Sequence, residues 1–322
     1  MKGMEGIRKS QSAMEYLMTY GWAILIIAVV LGALFSLGIF NPAFLAPKVQ
    51  PGSCQVERPN GPGTSAYISI QGNCHNELPE YVGVFNHKYS IVINTQTSGS
   101  GTLAAPLNNQ PDFTITAWVN PNNESGMNIY TEGIPSITLQ FGIGSNVVNI
   151  PSGESSGIGL DEWNLNNQPD NWAGGAVTYT VPPHQWTFVA VTLSNGGVGT
   201  GTETFYVNGQ KIGTSSGQEE YNPGTYYFGI GSNTGAYLGG TQGTLSFNGS
   251  IANLQIYNAS LSPAAIAYLY RAGIGGDPTS LNHLVGWWPL NGNANDYSGN
   301  GNNGVNANII YTNGWTYEYT AP

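Results

Sequence analysis

The chain has 322 residues, of which 40% are hydrophobic and 11% aromatic but only 8% charged, against about 25% in an average protein. Lys and Arg number 8 and Asp and Glu 18, for a net charge of -10, and no basic cluster follows the first ten residues. Phosphate neutralisation, the main source of nucleic-acid affinity, is therefore excluded, and the surface must be covered by Asn, Ser, Thr and Gly.

Residues 1–10 carry Lys2, Arg8 and Lys9 against Glu5. They read as a cytoplasmic leader, because positive charge ahead of an apolar helix holds that end inside. Residues 11–40 read QSAMEYLMTYGWAILIIAVVLGALFSLGIF. From Trp22 to Phe40 the run is apolar apart from Ser36 and two glycines, and as a helix it reaches roughly 28 Å, against about 30 Å for a bilayer core. One N-terminal transmembrane α-helix is expected, single-pass in the cell membrane, with the C-terminal domain extracellular. A secretory signal would put its small-residue cleavage site after the apolar run; here Ser10-Gln11-Ser12-Ala13 precedes it. KSQSAMEYL resembles the archaeal class III signal of type IV pilin precursors, whose peptidase cuts ahead of the glutamine and leaves the helix in place. The resemblance implies a cut between Ser10 and Gln11, although Ser10 departs from the usual Gly or Ala. It also implies that Glu15 pairs with the N-terminal amine of a neighbouring subunit in a filament. A lone carboxylate beside hydrocarbon is costly and a cation offsets it. The plainer alternative is an interfacial Glu at the mouth of an ordinary anchor.

Residues 41–80 hold Pro42, Pro47, Pro51, Pro59 and Pro62, which break helices. They predict a Pro/Gly-rich linker and a small hairpin, with YISI (67–70) as a strand. The two cysteines, Cys54 and Cys74, lie here. An oxidising exterior pairs them, which stabilises the fold by about 3 kcal/mol on the chain-entropy picture. They lack the CxxC spacing of a redox or zinc site.

Residues 81–322 predict short strands between Gly, Asn and Pro turns, the pattern of a sandwich. FTITAWVNP puts Phe113, Ile115, Ala117 and Val119 on one face at period two. WTFVAVTLS is apolar on both faces, as in a central strand. FYVNGQKIG carries Asn208-Gly209, a strong hairpin signal. TYYFGIGS (225–232) and IANLQIYN (251–258) follow. LSPAAIAYLYRAG predicts a helix with Ser262 as N-cap and Pro263 in its first turn. Leu261 and Ile266 form a staple, Ile266, Leu269 and Tyr270 a buried stripe, and Gly273 a stop. In order and spacing these segments resemble the laminin-G-like, concanavalin A-like lectin/glucanase jelly roll, and YVGVFNHKYSIVI resembles its preceding strand pair. The resemblance implies a mainly β protein, a concanavalin A-like jelly-roll β-sandwich. Two departures stand out. Ala252 and Asn253 follow Ile251 where many members carry acids. LVGWWPLNGNANDYSGNGNNG (284–304) looks like an opening hairpin at the wrong end, so residues 284–311 are expected as a permuted first hairpin or a truncated repeat.

Catalytic chemistry is not expected. Glycosidases need two carboxylates about 5 to 10 Å apart, and no E-x-D-x-E arrangement occurs. The four histidines are dispersed, so neither a triad nor a zinc cluster is visible. The binding candidate is GLDEWNLNNQPDNWAGG (159–175). Asp161, Glu162 and Asp170 are oxygen donors suited to Ca²⁺, and Trp163 and Trp172 are faces on which a sugar stacks. The alternative is a surface loop folded around its own tryptophans. Asn123, Asn248 and Asn258 head Asn-x-Ser sequons, candidate glycan acceptors outside the cell. The expectation is a membrane-anchored adhesion or surface protein that binds glycan or another surface protein. The alternative is a structural pilin or surface-layer subunit.

Overall fold

The computed structural model describes residues 20–31, 54–72, 78–87, 90–94, 106–107, 110–134, 137–145, 156–164, 172–196, 201–218, 227–232 and 245–322. At 161–164 and 172–174 the description is of the backbone. The chain divides into two units, residues 1–49 and 50–322.

In the first unit, residues 20–31 form a helix, α1, exposed throughout. Trp22, Ile24, Leu25, Ile26, Ile27, Val29, Val30 and Leu31 are all bare. Among the described residues no helix is long and apolar enough to cross a membrane. The remainder of the expected span, with Ser10, Gln11 and Glu15, lies outside the described residues.

The second unit is a β-sandwich. Its first strands are β1 (Gln55–Glu57), β2 (Ser69–Gln71), β3 (Val82–Asn86), β4 (Ser90–Asn94) and β5 (Phe113–Pro121). Next come β6 (Met127–Ile134), β7 (Ile137–Gly144), β8 (Gly157–Asn164), β9 (Trp172–Thr178) and β10 (Thr187–Ser194). After these stand β11 (Gly201–Val207), β12 (Gln210–Gln218), β13 (Tyr227–Ile230) and β14 (Asn248–Tyr257). A helix, α2 (Pro263–Arg271), precedes β15 (Leu284–Trp288), β16 (Val305–Ala307) and β17 (Ile310–Thr312). One sheet has the order β12-β11-β10-β5-β14-β3-β17, with β15 also paired to β14. The other runs β16-β4-β13-β6-β7-β8-β9. The strand pair expected over 81–93 is two strands of different sheets, and the chain crosses between them at His87 (φ 63).

The first sheet is buried on both faces. Inward, Ile115, Ala117, Val119, Val189, Val191, Phe205, Ile251 and Ile256 meet Phe141, Leu139, Phe228 and Ile230 of the second sheet. Outward, the alternate residues Trp118, Phe188, Ala190, Tyr206, Ala252 and Tyr257 enter a second core. That core is closed by Ile266 and Leu269 of α2, by Val56, Ile68 and Ile70 of the β1–β2 pair, and by Trp315. Within the segment expected as a linker and a small hairpin, described residues 54–72 hold the antiparallel β1–β2 pair. Cys54 packs at this core; Cys74 lies outside the described residues.

Local chemistry explains the connections. Asn208 (φ 48) and Gly209 (φ 74) make a two-residue turn with both φ positive, matched to the strand twist. Ala265 N donates to Ser262 Oγ at 3.2 Å, Pro263 opens the first turn, and Ala272 caps the end before Gly273 (φ 80). Tyr270 stacks on Trp118, with centroids 5.8 Å apart.

The C-terminal segment contributes to both sheets. β15 pairs with Leu254–Tyr257 of β14, β16 with β4, and β17 with β3. Trp288 is fully buried, 5.6 Å from Phe228 across the sandwich, and its Nε1 donates to Asn302 O at 3.0 Å. Trp288→Ala should therefore destabilise the fold by about 3–5 kcal/mol, measured as a lowered urea midpoint. A loss below about 1 kcal/mol would mean the segment is dispensable.

Candidate functional site

Strand parity sorts the second sheet into an apolar inner face and a polar outer one. Leu139, Phe141 and Ile143 of β7 join the core, so Gln140 and Gly142 take the other face. On β6, Asn128 and Thr131 do the same, on either side of an irregularity between Asn128 and Tyr130. Asn128 Nδ2 donates to Gln140 Oε1 at 2.8 Å, and the Thr131 and Ser232 hydroxyls lie 3.0 Å apart. All four residues are buried, as polar groups satisfied by one another. Sequence inspection passed over these residues, although the alternation in ITLQFGIG was the signal that could have found Gln140.

The ladder registers carry this face across the sheet. Thr131 stands opposite Gly229 and Gln140, Gln140 opposite Asp161, and Asp161 opposite Gly174. These five positions form one row across β13, β6, β7, β8 and β9. The next row along runs Thr138, Trp163, Trp172, the last two being direct cross-strand partners. Residues 159–175, expected as a binding insertion with a surface loop as the alternative, form in their described parts the paired strands β8 and β9 at the sheet edge. Along β8, Asp161 and Trp163 are in backbone register with Gln140 and Thr138, and Glu162 between them with Leu139. Asp170 lies outside the described residues. Among the described residues no group of three or more His, Cys, Asp or Glu is placed to hold a metal. At the sequons, Asn123 lies on the β5–β6 turn, Asn248 opens β14 and Asn258 follows it.

Asn253, where an acid was anticipated by resemblance, has a structural task. It takes a left-handed conformation (φ 48) at an irregularity in β14. Its Nδ2 donates to Gly276 O at 2.8 Å, and its Oδ1 accepts from Trp287 Nε1 at 2.8 Å and Gln255 Nε2 at 3.0 Å.

A carboxyl in the second sheet has a displaced ionisation. Glu132 of β6 is fully buried on the inner face, its register partners being Phe228 and Leu139. Burial pushes its pKa up to about 8, against the pull of a Tyr130 Oη donor at 2.5 Å and Leu107 N at 3.1 Å. In an apolar interior the neutral acid is favoured, and enclosure among core residues makes Glu132 structural.

The profile of the Laminin_G_3 family, described as the concanavalin A-like lectin/glucanases superfamily, matches residues 94–267. The chain belongs to this superfamily. Among solved structures it is similar to a candidate carbohydrate binding protein from Bacteroides ovatus (17% identity, TM-score 0.49, covering 76% of this chain). The chain spans 63% of that protein's length. It is also similar to the heptameric SAP-like pentraxin of Limulus polyphemus (16%, TM-score 0.46, 72% of this chain and 92% of the other). A third similarity is to domain 4 of the arabinanase AbnA from Geobacillus stearothermophilus, solved with arabinotriose (16%, TM-score 0.41, 69% and 82%). No curated protein matches the chain.

Glu132 gives a signed pH dependence. Its folded pKa lies above the unfolded value, so its contribution is full below about pH 4.5 and is lost as pH rises toward 8. Wild-type stability should fall relative to Glu132→Gln over this window by a few kcal/mol, on the order of the shift at about 1.4 kcal/mol per unit. Denaturant midpoints at pH 5 and pH 8.5 check this; a pH-independent difference between the two proteins contradicts it.

Proposed function

We propose that the protein is a surface lectin, anchored by its N-terminal helix, whose sandwich stands outside the cell and binds a glycan. The observation that carries the binding assignment is the register of β7, β8 and β9. It sets two tryptophan positions, 163 and 172, beside a row of hydrogen-bonding positions that ends at Asp161. Aromatic faces with convergent polar groups are the makings of a small-ligand site, and stacking with hydroxyl recognition is the chemistry a sugar ring offers. Superfamily membership supports the same assignment. Binding is preferred to hydrolysis because the sequence carries no E-x-D-x-E arrangement of carboxylates.

The anchoring half is supported by the positive leader and by α1, whose apolar side chains are bare on every side. Such a helix calls for an apolar surrounding, lipid or the core of a filament. The second of these favours a pilin-like subunit, with cleavage before Gln11 and Glu15 paired to a neighbour's amine. Pairing of Cys54 with Cys74 belongs to the same exterior assignment and is supported by the lack of a free cysteine among the described residues.

Full-length protein in nanodiscs, applied to a glycan array with and without Ca²⁺, tests the lectin. Binding should fall at least tenfold in Trp163→Ala and Trp172→Ala, and an array with no binder would defeat it. Mass spectrometry of the native N-terminus should find Gln11 first if the pilin-type leader is processed. In that case Glu15→Ala should leave the protein in the membrane and abolish filaments.

A further inference from the structure

We propose that Asn123 is an N-glycan acceptor and that the other two sequons stay unmodified. The proposal rests on the exterior placement given above. Whatever the order of modification and folding, the folded chain must accommodate a bulky group on the amide nitrogen, so the local geometry selects among the sites.

Asn258 is less suited. It is half-buried directly after β14, its Oδ1 is enclosed, and its own N–H donates to His283 O at 2.9 Å, so the residue is held against the β15 side of the sheet. Asn248 is the first residue of β14, half-buried and in ladder register with Asn86. The serine of its sequon, Ser250, lies inside the sheet between Val84 and Asn120. Asn123 is different. It is half-buried, but it sits on the turn between β5 and β6, outside any ladder, with Asn122, Glu124 and Ser125 exposed around it. Its Oδ1 accepts from Ser125 N at 3.0 Å. That bond closes an Asx turn, holding the carboxamide by its oxygen and leaving Nδ2 without a hydrogen bond. The turn is pinned below, where Asn122 N donates to Asn248 O at 2.9 Å and Ser145 N to Glu124 O at 3.0 Å. A glycan there extends into solvent without disturbing a ladder.

The co-reactant is an oligosaccharide linked through its C1 to a polyprenyl phosphate or diphosphate. A bond forms from Asn123 Nδ2 to C1, the C1–O bond to phosphate breaks with its electron pair leaving on oxygen, and Nδ2 gives up one proton. No oxidation state changes.

The test is glycopeptide mass spectrometry on the full chain. It is isolated from membranes of a cell with an extracytoplasmic Asn-x-Ser transferase, and an extra acceptor sequon follows Pro322 as an internal control. Glycan at 123 and at the control, lost from 123 in Asn123→Gln and in Ser125→Ala, is the expected result. A glycosylated control with position 123 bare, or with glycan on 248 or 258, overturns the choice of site while leaving the exterior placement intact. A bare control and a bare 123 overturn the exterior placement and this proposal with it.

Discussion

The sheet built on β5, β10 and β14 has no face to give to water. Every residue of β5 is buried, and seven of the eight in β10. Two apolar faces in one sheet demand two covers, since each buried apolar side chain is worth roughly 1.5–3 kcal/mol. The second sheet supplies one. The other is assembled from pieces distant in sequence: α2, the β1–β2 pair and the C-terminal turn with Trp315. Arg58 ties the β1–β2 piece to the segment around β15. Its Nε donates to Ser298 O at 2.9 Å, Nη1 to Thr64 O at 2.6 Å, and Nη2 to Leu281 O at 3.0 Å and Leu284 O at 2.7 Å. A guanidinium with five fixed donors can serve four carbonyls; a lysine could not hold them in this arrangement.

A charge-poor chain needs another way to organise its polar interior, and short side chains supply it. Asp296 accepts from Trp287 N, Ser298 N, Asn302 N and Ser298 Oγ, and burial nevertheless pushes its carboxyl above the usual range. Asn300 donates to the carbonyls of Leu284 and Val285. The Asn- and Gly-rich stretch after Trp288 is thus a self-satisfied loop that fixes β15 against β14. Its composition resembles that of an ion-binding loop, but its donors and acceptors are spent on the backbone.

Local signals were legible where one physical cause decides the outcome. Asn208-Gly209 had to be a tight hairpin turn because two successive positive φ values suit few other pairs. Ser262-Pro263 could open a helix and Gly273 could follow its end for reasons confined to one turn. Period two placed Phe113, Ile115, Ala117 and Val119 on the face they occupy. Pairing partners were not legible, because ladders join residues far apart in sequence: nothing local says that β3 and β4 part company, or that Val305 joins Val92. The stretch from Asp161 to Trp172 looked like an insertion because its acids and asparagines hide a strand whose pairing with β7 is visible only in the fold.

The two sheets therefore divide the work. The first is consumed on both faces by packing, so the chemistry left to the sandwich lies on the outer face of the second and on the turns. That face offers amides, hydroxyls and glycines rather than cations, with the position of Asp161 as the carboxylate in its row. Such a surface has little with which to hold a phosphate or a nucleic acid. The described part of that row, Asn128, Thr131, Gln140 and Ser232, is buried and satisfied within itself, so under the proposed glycan assignment the contacts fall to the edge hairpin beside it. The scarcity of charge that first marked the sequence and the chemistry of the proposed ligand are, on this account, the same fact seen at two scales.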